Sequence, residues 1–465
     1  MSDRTAPTDK QEAERRFDWP VCHEAEQFLL DHIAHFLERN TFARELAQRM
    51  QNETGTLLLD WMDSISLPSI DEEVVAKLGF VPDPLGEVPD PGQRVYHHPE
   101  SVLPRVILDG THDAYPNALS IHPESVVDFM GVHHLSGNIE GDPLTRFRRA
   151  LISNERGACF YAVERRGYRG FVPVDAKAGE TNAILLAHEL WQTRPRMFVD
   201  AEEGYALSLA LLNELITLVG RDLACHVVFA GERLYWQRRN HAARVQKGRQ
   251  DALGLGWGNH DHHTFRSSRT QFVNLMRVME TLGFVRRERY YAGDKAGWGA
   301  QIMEQPVEGI VVFCDVDLMP EETEIDFSRE LLPAAKKLGT VGLWCALHGE
   351  SFLDAGMHHL ECRFDYALLR DQLSTLGVNT MKPFSDFDFL KQAFTEGERW
   401  PVGHDRAQGL LDAKLIDANQ FKQFTTQGAI GSHLENLQRK GGFKGFNQKS
   451  VSAIIEATDP RKQQH

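Results

Sequence analysis

The sequence predicts an α+β protein built of repeated β-α-β-β-β units with a helical insert. Three observations carry this expectation. Short apolar runs, punctuated by glycine and proline, surround one short amphipathic stretch over 56–108 and again over 261–316. The phrase Lys77-Leu-Gly-Phe-Val81 recurs as Thr281-Leu-Gly-Phe-Val285 at the same place in each unit. Between the two lies Gly137–Gln250, whose middle and end have helical apolar spacing.

Taken in order, residues 1–15 are polar and charged and read as a tail. Glu24–Asn52 repeats Phe28, Leu29, Ile33, Phe36 and Leu37 at helical spacing. The first unit follows. Thr56–Leu67 reads as a strand, Ile70–Leu78 as a helix, Gly79–Val81 as the start of another strand and Gly92–Leu108 as two more. Prolines at 82, 84, 89 and 91 mark its turns. The insert has helices at Thr181–Trp191, Ala201–Val219 and Tyr235–Arg249 and is expected to form a wall or lid over a site. In the second copy the strands are Asp261–Arg266, Gly283–Tyr291, Gly299–Glu304 and Gly309–Val316, with a helix at Thr270–Leu282. A third unit is expected over Gly356–Arg439. Its strands are His359–Phe364, Gly377–Met381 and His433–Leu437, and its helix is Tyr366–Leu376. The resulting division is a tail and helix (1–55), a degenerate module (56–136), a mainly helical insert (137–250), a metal-binding module (251–340) and a second one with a C-terminal helix (341–465).

Composition narrows the function. Of 465 residues, 42% are apolar and 25% charged, enough apolar surface for a sizeable core. Lys plus Arg is 51 and Asp plus Glu 66, a net charge of −15 that argues against nucleic acid as the main partner. The basic run Arg233–Arg249 reads as a solvated helix face. No stretch approaches the roughly 18 uncharged apolar residues of a membrane helix. The N-terminus lacks the apolar core of a signal peptide, so no membrane partner and a cytoplasmic location are expected. Six cysteines without a CxxC pair read as reduced core thiols. Neither a Walker phosphate loop nor a GxSxG elbow is present.

Histidine carries the chemical signal. In Asn259-His-Asp-His-His-Thr-Phe-Arg266, strand alternation puts His260, His262, Thr264 and Arg266 on one face and His263 on the other. Gly356-Met-His-His-Leu-Glu-Cys-Arg363 places His359, Glu361 and Arg363 together, and the spacing His359 to Arg363 repeats that of His262 to Arg266. In Gly431-Ser-His-Leu-Glu-Asn-Leu-Gln-Arg439, Glu435 faces with His433 and is flanked by leucines. A partly buried carboxylate needs a partner, either a metal or an ion pair with Arg439. Two histidines and a carboxylate with open positions form the triad of non-haem Fe(II) oxygenases, and three ligands plus water equally suit catalytic zinc. The pairs His97-His98 and His133-His134 read as structural or surface residues.

With these residues in place, the chain resembles the vicinal oxygen chelate superfamily, and within it the 2-oxoadipate dioxygenase/decarboxylase family. The resemblance covers roughly residues 255–455. Asp261-His262-His263-Thr-Phe-Arg266 matches the family's His-x-x-x-Arg strand, and Glu435-Asn-Leu-Gln-Arg439 ahead of Gly442-Phe443 matches its carboxylate segment. The first unit has no histidine at Asp60–Ser64 and reads as a module without a ligand. The resemblance implies Fe(II), with Zn or Mn as other candidates, held by His262, His359 and Glu435. The rivals are His260 or His263 for the first ligand, His358 for the second, and Glu304 or Asp317 for the third. It also implies a small 2-oxo acid as substrate and dioxygen as cosubstrate, with Arg266 pairing with a substrate carboxylate and Arg363 as a second anchor. Two alternatives stay open: a non-redox metal-dependent isomerase or lyase of the glyoxalase type, and a non-enzymatic small-ligand-binding protein.

Overall fold

Helix ends set the repeat of this molecule. In the computed structural model, which describes residues 19–88, 90–110, 117–291, 297–322, 325–333, 335–447 and 459–461, four short helices close with one hydrogen-bond pattern. The amides of Gly79, His134, Gly283 and Gly377 reach back three residues, and those of Phe80, Leu135, Phe284 and Val378 reach back five. This is a Schellman closure, and it needs a left-handed residue at its corner. The φ values there are +92° at Gly79, +88° at Gly283 and +78° at Gly377. At the remaining corner His134 takes φ +53°.

Each closure turns the chain from the helix of one β-α-β-β-β module into that module's second strand. The strand order of the described residues gives four such modules. The first comprises β1 (Met62–Pro68), helix Glu72–Lys77, β2 (Val81–Pro82), β3 (Gln93–His97) and β4 (Arg105–Asp109). The second comprises β5 (Ala118–Ile121), helix Val126–Val132, β6 (Ile139–Glu140), β7 (Phe147–Glu155) and β8 (Ala158–Arg165). The third comprises β9 (His260–Arg266), helix Phe272–Thr281, β10 (Val285–Tyr291), β11 (Trp298–Gln305) and β12 (Ile310–Asp317). The fourth comprises β13 (His359–Arg363), helix Tyr366–Thr375, β14 (Ser385–Phe387), β15 (Leu390–Phe394), β16 (Glu398–Trp400) and β17 (Ala429–Arg439).

The modules pair into two sheets. One has the order β2-β3-β4-β1-β5-β8-β7-β6, the other β10-β11-β12-β9-β13-β17-β15-β14, with β16 added on β17. Within every module the first strand runs parallel to the last, as β1 to β4, β5 to β8, β9 to β12 and β13 to β17. Modules join through antiparallel first strands, β1 with β5 and β9 with β13. This is an α+β architecture of repeated β-α-β-β-β modules.

Two expectations change. The helical insert does not begin at 137, because β6, β7 and β8 occupy 139–165 and complete the second module. Helix begins only at Glu180 and continues through Glu180–Thr193, Ala201–Val219, Arg221–Arg238 and His241–Asp251. The strand expected at Gly377–Met381 is the closure itself plus one bridge, Thr380 to Thr395, and the strand proper is β14. The expected N-terminal tail and C-terminal helix lie outside the described residues.

The insert is also no lid. Phe229 of helix Arg221–Arg238 packs on the reverse face of β9, with ring centroids 5.0 Å from His263, 5.9 Å from Phe265 and 5.3 Å from Phe284. Buried Glu232 clamps the insert from within, accepting from Trp191 Nε1 at 3.0 Å and Arg194 Nη2 at 3.1 Å, while Arg196 pairs with it too. Arg194 also donates to the Phe352 carbonyl at 2.7 Å, tying the insert to the segment that leads into β13. The insert thus backs the second sheet and leaves its other face open.

The shared helix closure predicts opposite signs for two substitutions. Gly283→Ala puts a Cβ into the left-handed region and should cost about 1–2 kcal/mol. His134→Gly, at an exposed corner, should gain about 1 kcal/mol by removing the same strain. Urea unfolding of the two variants against the parent checks both.

Candidate metal centre

β9, β13 and β17 lie side by side in the middle of the second sheet, and their register assembles the site. His262 stands opposite Glu361, which stands opposite Glu435. One row along, Thr264 faces His359, which faces His433. Alternation turns His262, Glu361, Glu435 and His359 to the face the insert leaves open. His262, His359 and Glu435 offer ligand atoms that all lie within 4.8 Å of one another, and all three are buried.

Each histidine is oriented through one ring nitrogen. His262 Nδ1 lies 3.3 Å from Asp261 Oδ1 and against Glu361 Oε2. Asp261 is itself fixed by Arg439, whose Nε and Nη2 donate at 3.0 and 2.9 Å. His359 Nδ1 lies 2.9 Å from Nδ1 of His358, while its Nε2 is 3.0 Å from Glu435 Oε2 and 2.8 Å from Thr264 Oγ1. Gln392 Nε2 bridges the carboxyls, donating to Glu361 at 2.8 Å and to Glu435 at 3.3 Å. Held this way, His262 can offer Nε2 to a cation, and His359 can offer Nε2 by giving up its contact with Thr264 Oγ1; imidazoles hydrogen-bonded through the other nitrogen are the usual metal-ligand arrangement.

Electrostatics favours a bound cation. Burial, with His262 and Arg266 adding to it, holds His359 well below the ordinary histidine range, so its ring is neutral and can ligate. Burial and the neighbouring Glu435 push Glu361 well above the carboxylate range. Burial likewise lifts Glu435 to about 8. Two adjacent buried carboxyls retain protons that a divalent cation would displace. Burial opposes the charge on Asp261 as well, but Arg439 and His262 hold it well below the usual range. Imidazole with carboxylate suits a divalent first-row metal, so the residues fit such an ion. Asp261, His262 and Glu361 form a second close group. Asp261 and Glu361 do not line the cavity that His262, His359 and Glu435 line, which makes them supports for the site.

That cavity has a volume of about 80 Å³ and apolar walls of Tyr290, Trp298, Phe313, Phe384, Phe394 and Phe446. At one end sits Arg266, 4% exposed. Its nearest anion is Asp315, 3.9 Å away, and burial pushes the Asp315 carboxyl up to about 7 despite that arginine. Nε and Nη1 of Arg266, Oη of Tyr290 and Nε1 of Trp298 are buried without a hydrogen-bond partner among the described residues. Four unpartnered donors outnumber the one unpartnered acceptor there, Asp315 Oδ1, and make this end of the cavity complementary to a carboxylate.

The structure brings His262, His359, Glu435 and Arg266 together and leaves Arg363 out. Arg363 lies two residues beyond Glu361 on the same strand face, in a neighbouring larger cavity. Among the rivals, His263 faces the insert and accepts from Arg233 at 3.3 Å. His260 bonds the Trp257 carbonyl at 2.9 Å, and His358 sits behind His359. Glu304 pairs with Lys444 at 3.2 Å, and Asp317 accepts from the amides of Gly339, Val341 and Gly342 at a helix start. The ion pair weighed between Glu435 and Arg439 is not formed, since Arg439 takes Asp261. Glu361, Asp261 and Gln392 join the site although the sequence does not mark them as site residues. The alternation His359-x-Glu361 was the available signal for the first, and nothing local marks Gln392.

No protein-family description matches the chain, and no curated protein matches it. Solved structures give slight overlaps. A variant of 4-hydroxymandelate synthase from Streptomyces coelicolor is 12% identical over 86% of this chain and 98% of its own, with a TM-score of 0.29. Methylmalonyl-CoA epimerase from Mycobacterium tuberculosis is 12% identical over 39% and 88%, at 0.22. A xylose isomerase-like TIM barrel/4-hydroxyphenylpyruvate dioxygenase fusion protein is 10% identical over 90% and 57%, at 0.25. The reading of the site rests on its geometry.

The raised carboxyl predicts a pH signature. Glu435 moves from 4.5 to about 8, so the stability gained by keeping it protonated is full below pH 4.5 and lost as pH rises through 8. Ligation needs the carboxylate, so apparent affinity for Zn or Co should rise by up to about tenfold per pH unit below that value and then level off. Chelator competition on either side of it measures this, and Glu435→Gln should bind far more weakly and flatten the slope. An affinity independent of pH in the parent would contradict the assignment.

Proposed function

We propose that the chain is an Fe(II)-dependent dioxygenase that decarboxylates a small 2-oxo acid, with His262, His359 and Glu435 as metal ligands. The observation that carries this reading is the juxtaposition, in one small apolar cavity, of two histidines and a carboxylate with an arginine whose buried donors lack an acceptor. Fe(II), when bound, supplies the Lewis acidity and the dioxygen chemistry of such sites.

The chain's own residues do the rest. Arg266 pairs with a carboxylate of the substrate through its planar fork, assisted by the Tyr290 hydroxyl and the Trp298 indole N–H. The aromatic walls exclude water from the reacting carbons and limit the substrate to a small acid. Asp261 and Glu361 fix the His262 ring, and Gln392 fixes Glu435, so the ligand atoms are preorganised. Asp315, close to neutral pH by its own titration, limits the negative charge facing Arg266 and leaves the guanidinium available to the incoming anion.

Metal analysis of protein purified anaerobically, then oxygen uptake with a panel of 2-oxo acids, tests this. The expected result is stoichiometric iron, with oxygen consumption matched by release of carbon dioxide. His262→Ala should lose both metal and activity. Arg266→Gln should keep the metal and raise KM about 10–100-fold, the loss of one or two charge-assisted hydrogen bonds. Zinc or manganese without oxygen uptake would move the assignment to a glyoxalase-type isomerase or lyase, and protein that binds no metal would leave a small-ligand-binding protein.

A further inference from the structure

The metal cavity is not the largest opening on this face. Beyond Phe446, toward the first sheet, lies a second cavity of about 520 Å³. It meets the metal cavity at Phe446, whose ring centroid lies 5.2 Å from that of His262, the two rings near perpendicular. The same strand faces that carry the metal centre run on into it, ending in His260 on β9, Arg363 on β13 and Arg439 on β17.

Its charge is opposite to that of the protein. The chain carries −15, yet this wall has six cations, Arg105, Arg169, Arg287, Arg363, Arg439 and Lys444, against four carboxylates. Each carboxylate is already engaged. Asp63 pairs with Arg105 at 3.0 Å, Asp83 with Arg169 at 2.7 Å, Asp261 with Arg439 at 2.9 Å and Glu304 with Lys444 at 3.2 Å. Arg287 pairs with Glu288, which lies outside the wall. Arg363 is left over. Its nearest carboxylate oxygen, on Asp261, is 3.9 Å away, and its Nε is buried without a hydrogen-bond partner among the described residues. Arg363 thus shares Asp261 with Arg439 at long range and feels the charge of Asp60, yet its Nε hydrogen-bonds neither, and an arginine fork so placed in an electropositive hollow is suited to receive a further anion.

We propose that this outer cavity is a binding site for a small oxyanion, a carboxylate or a phosphate, held by Arg363. The ligand would come either from a carboxylate substrate on its way past Phe446 or from a separate phosphate-bearing effector. The site stands on its own geometry and needs neither iron nor dioxygen. Calorimetric titration of inorganic phosphate, and of glutarate as a dicarboxylate without a keto group, into the full chain tests it. Parent protein should bind at least one of the two. Arg363→Gln should weaken that binding by about tenfold or more, equivalent to ~1.4 kcal/mol. Binding of glutarate alone identifies the substrate path, and binding of phosphate identifies an effector. Cobalt affinity at the metal centre reports whether Arg363→Gln is folded. Should it not fold, Arg363→Lys, which keeps the charge without the fork, is expected to weaken binding in the same direction. No binding of either anion to the parent, or equal affinity in the parent and a folded Arg363 variant, would overturn the proposal. These readouts hold even if no 2-oxo acid ever drives oxygen uptake.

Discussion

The pairing of β13 between β9 and β17 is the constraint on which the rest depends. It places Glu361 between His262 and Glu435, with His359 one row along. The interior of a sheet is a costly place for so many ionisable groups. Their compensation is local: Arg439 neutralises Asp261, Asp261 and Glu361 orient His262, and Gln392 bridges the two glutamates. What is not compensated by protein is the charge that Glu361 and Glu435 would carry together. That deficit is the physical reason for assigning a cation to this place.

The fold supplies the setting by treating the two faces of the second sheet differently. One face is sealed by the insert, where Phe229 meets His263 and Phe265 and Arg233 takes the His263 ring nitrogen. Adjacent histidines in one sequence run therefore have unrelated fates, His263 in a packed core and His262 in the cavity. The other face forms a trough in two chambers. Arg266 closes the inner one and Arg363 stands in the outer one, with the proposed metal ligands between them. The repeat His-x-x-x-Arg on antiparallel strands thus sends its two arginines to opposite ends of the same trough.

Much of this was legible in the sequence where the signal is local. Alternation along a strand gave the shared faces of His262 with Arg266 and of His359 with Glu361, and the repeated Leu-Gly-Phe-Val phrase marked two helix closures. The second module is hard to see in the sequence because His134 stands where the other closures have glycine. The position of Arg363 was not legible. Its strand face was read correctly, but Phe446 and the first sheet decide which chamber that face opens into, and both come from distant sequence. Whether the insert forms a wall or a lid is illegible for a similar reason: its helical period shows an apolar face without showing which side of a sheet that face will cover.

X-ray absorption at the iron edge of the anaerobically loaded protein tests the central claim most directly. The account predicts a coordination shell of nitrogen and oxygen only, with the scattering of two imidazoles, falling to one in His359→Ala. Sulfur in the shell, or two imidazoles retained after that substitution, would contradict it.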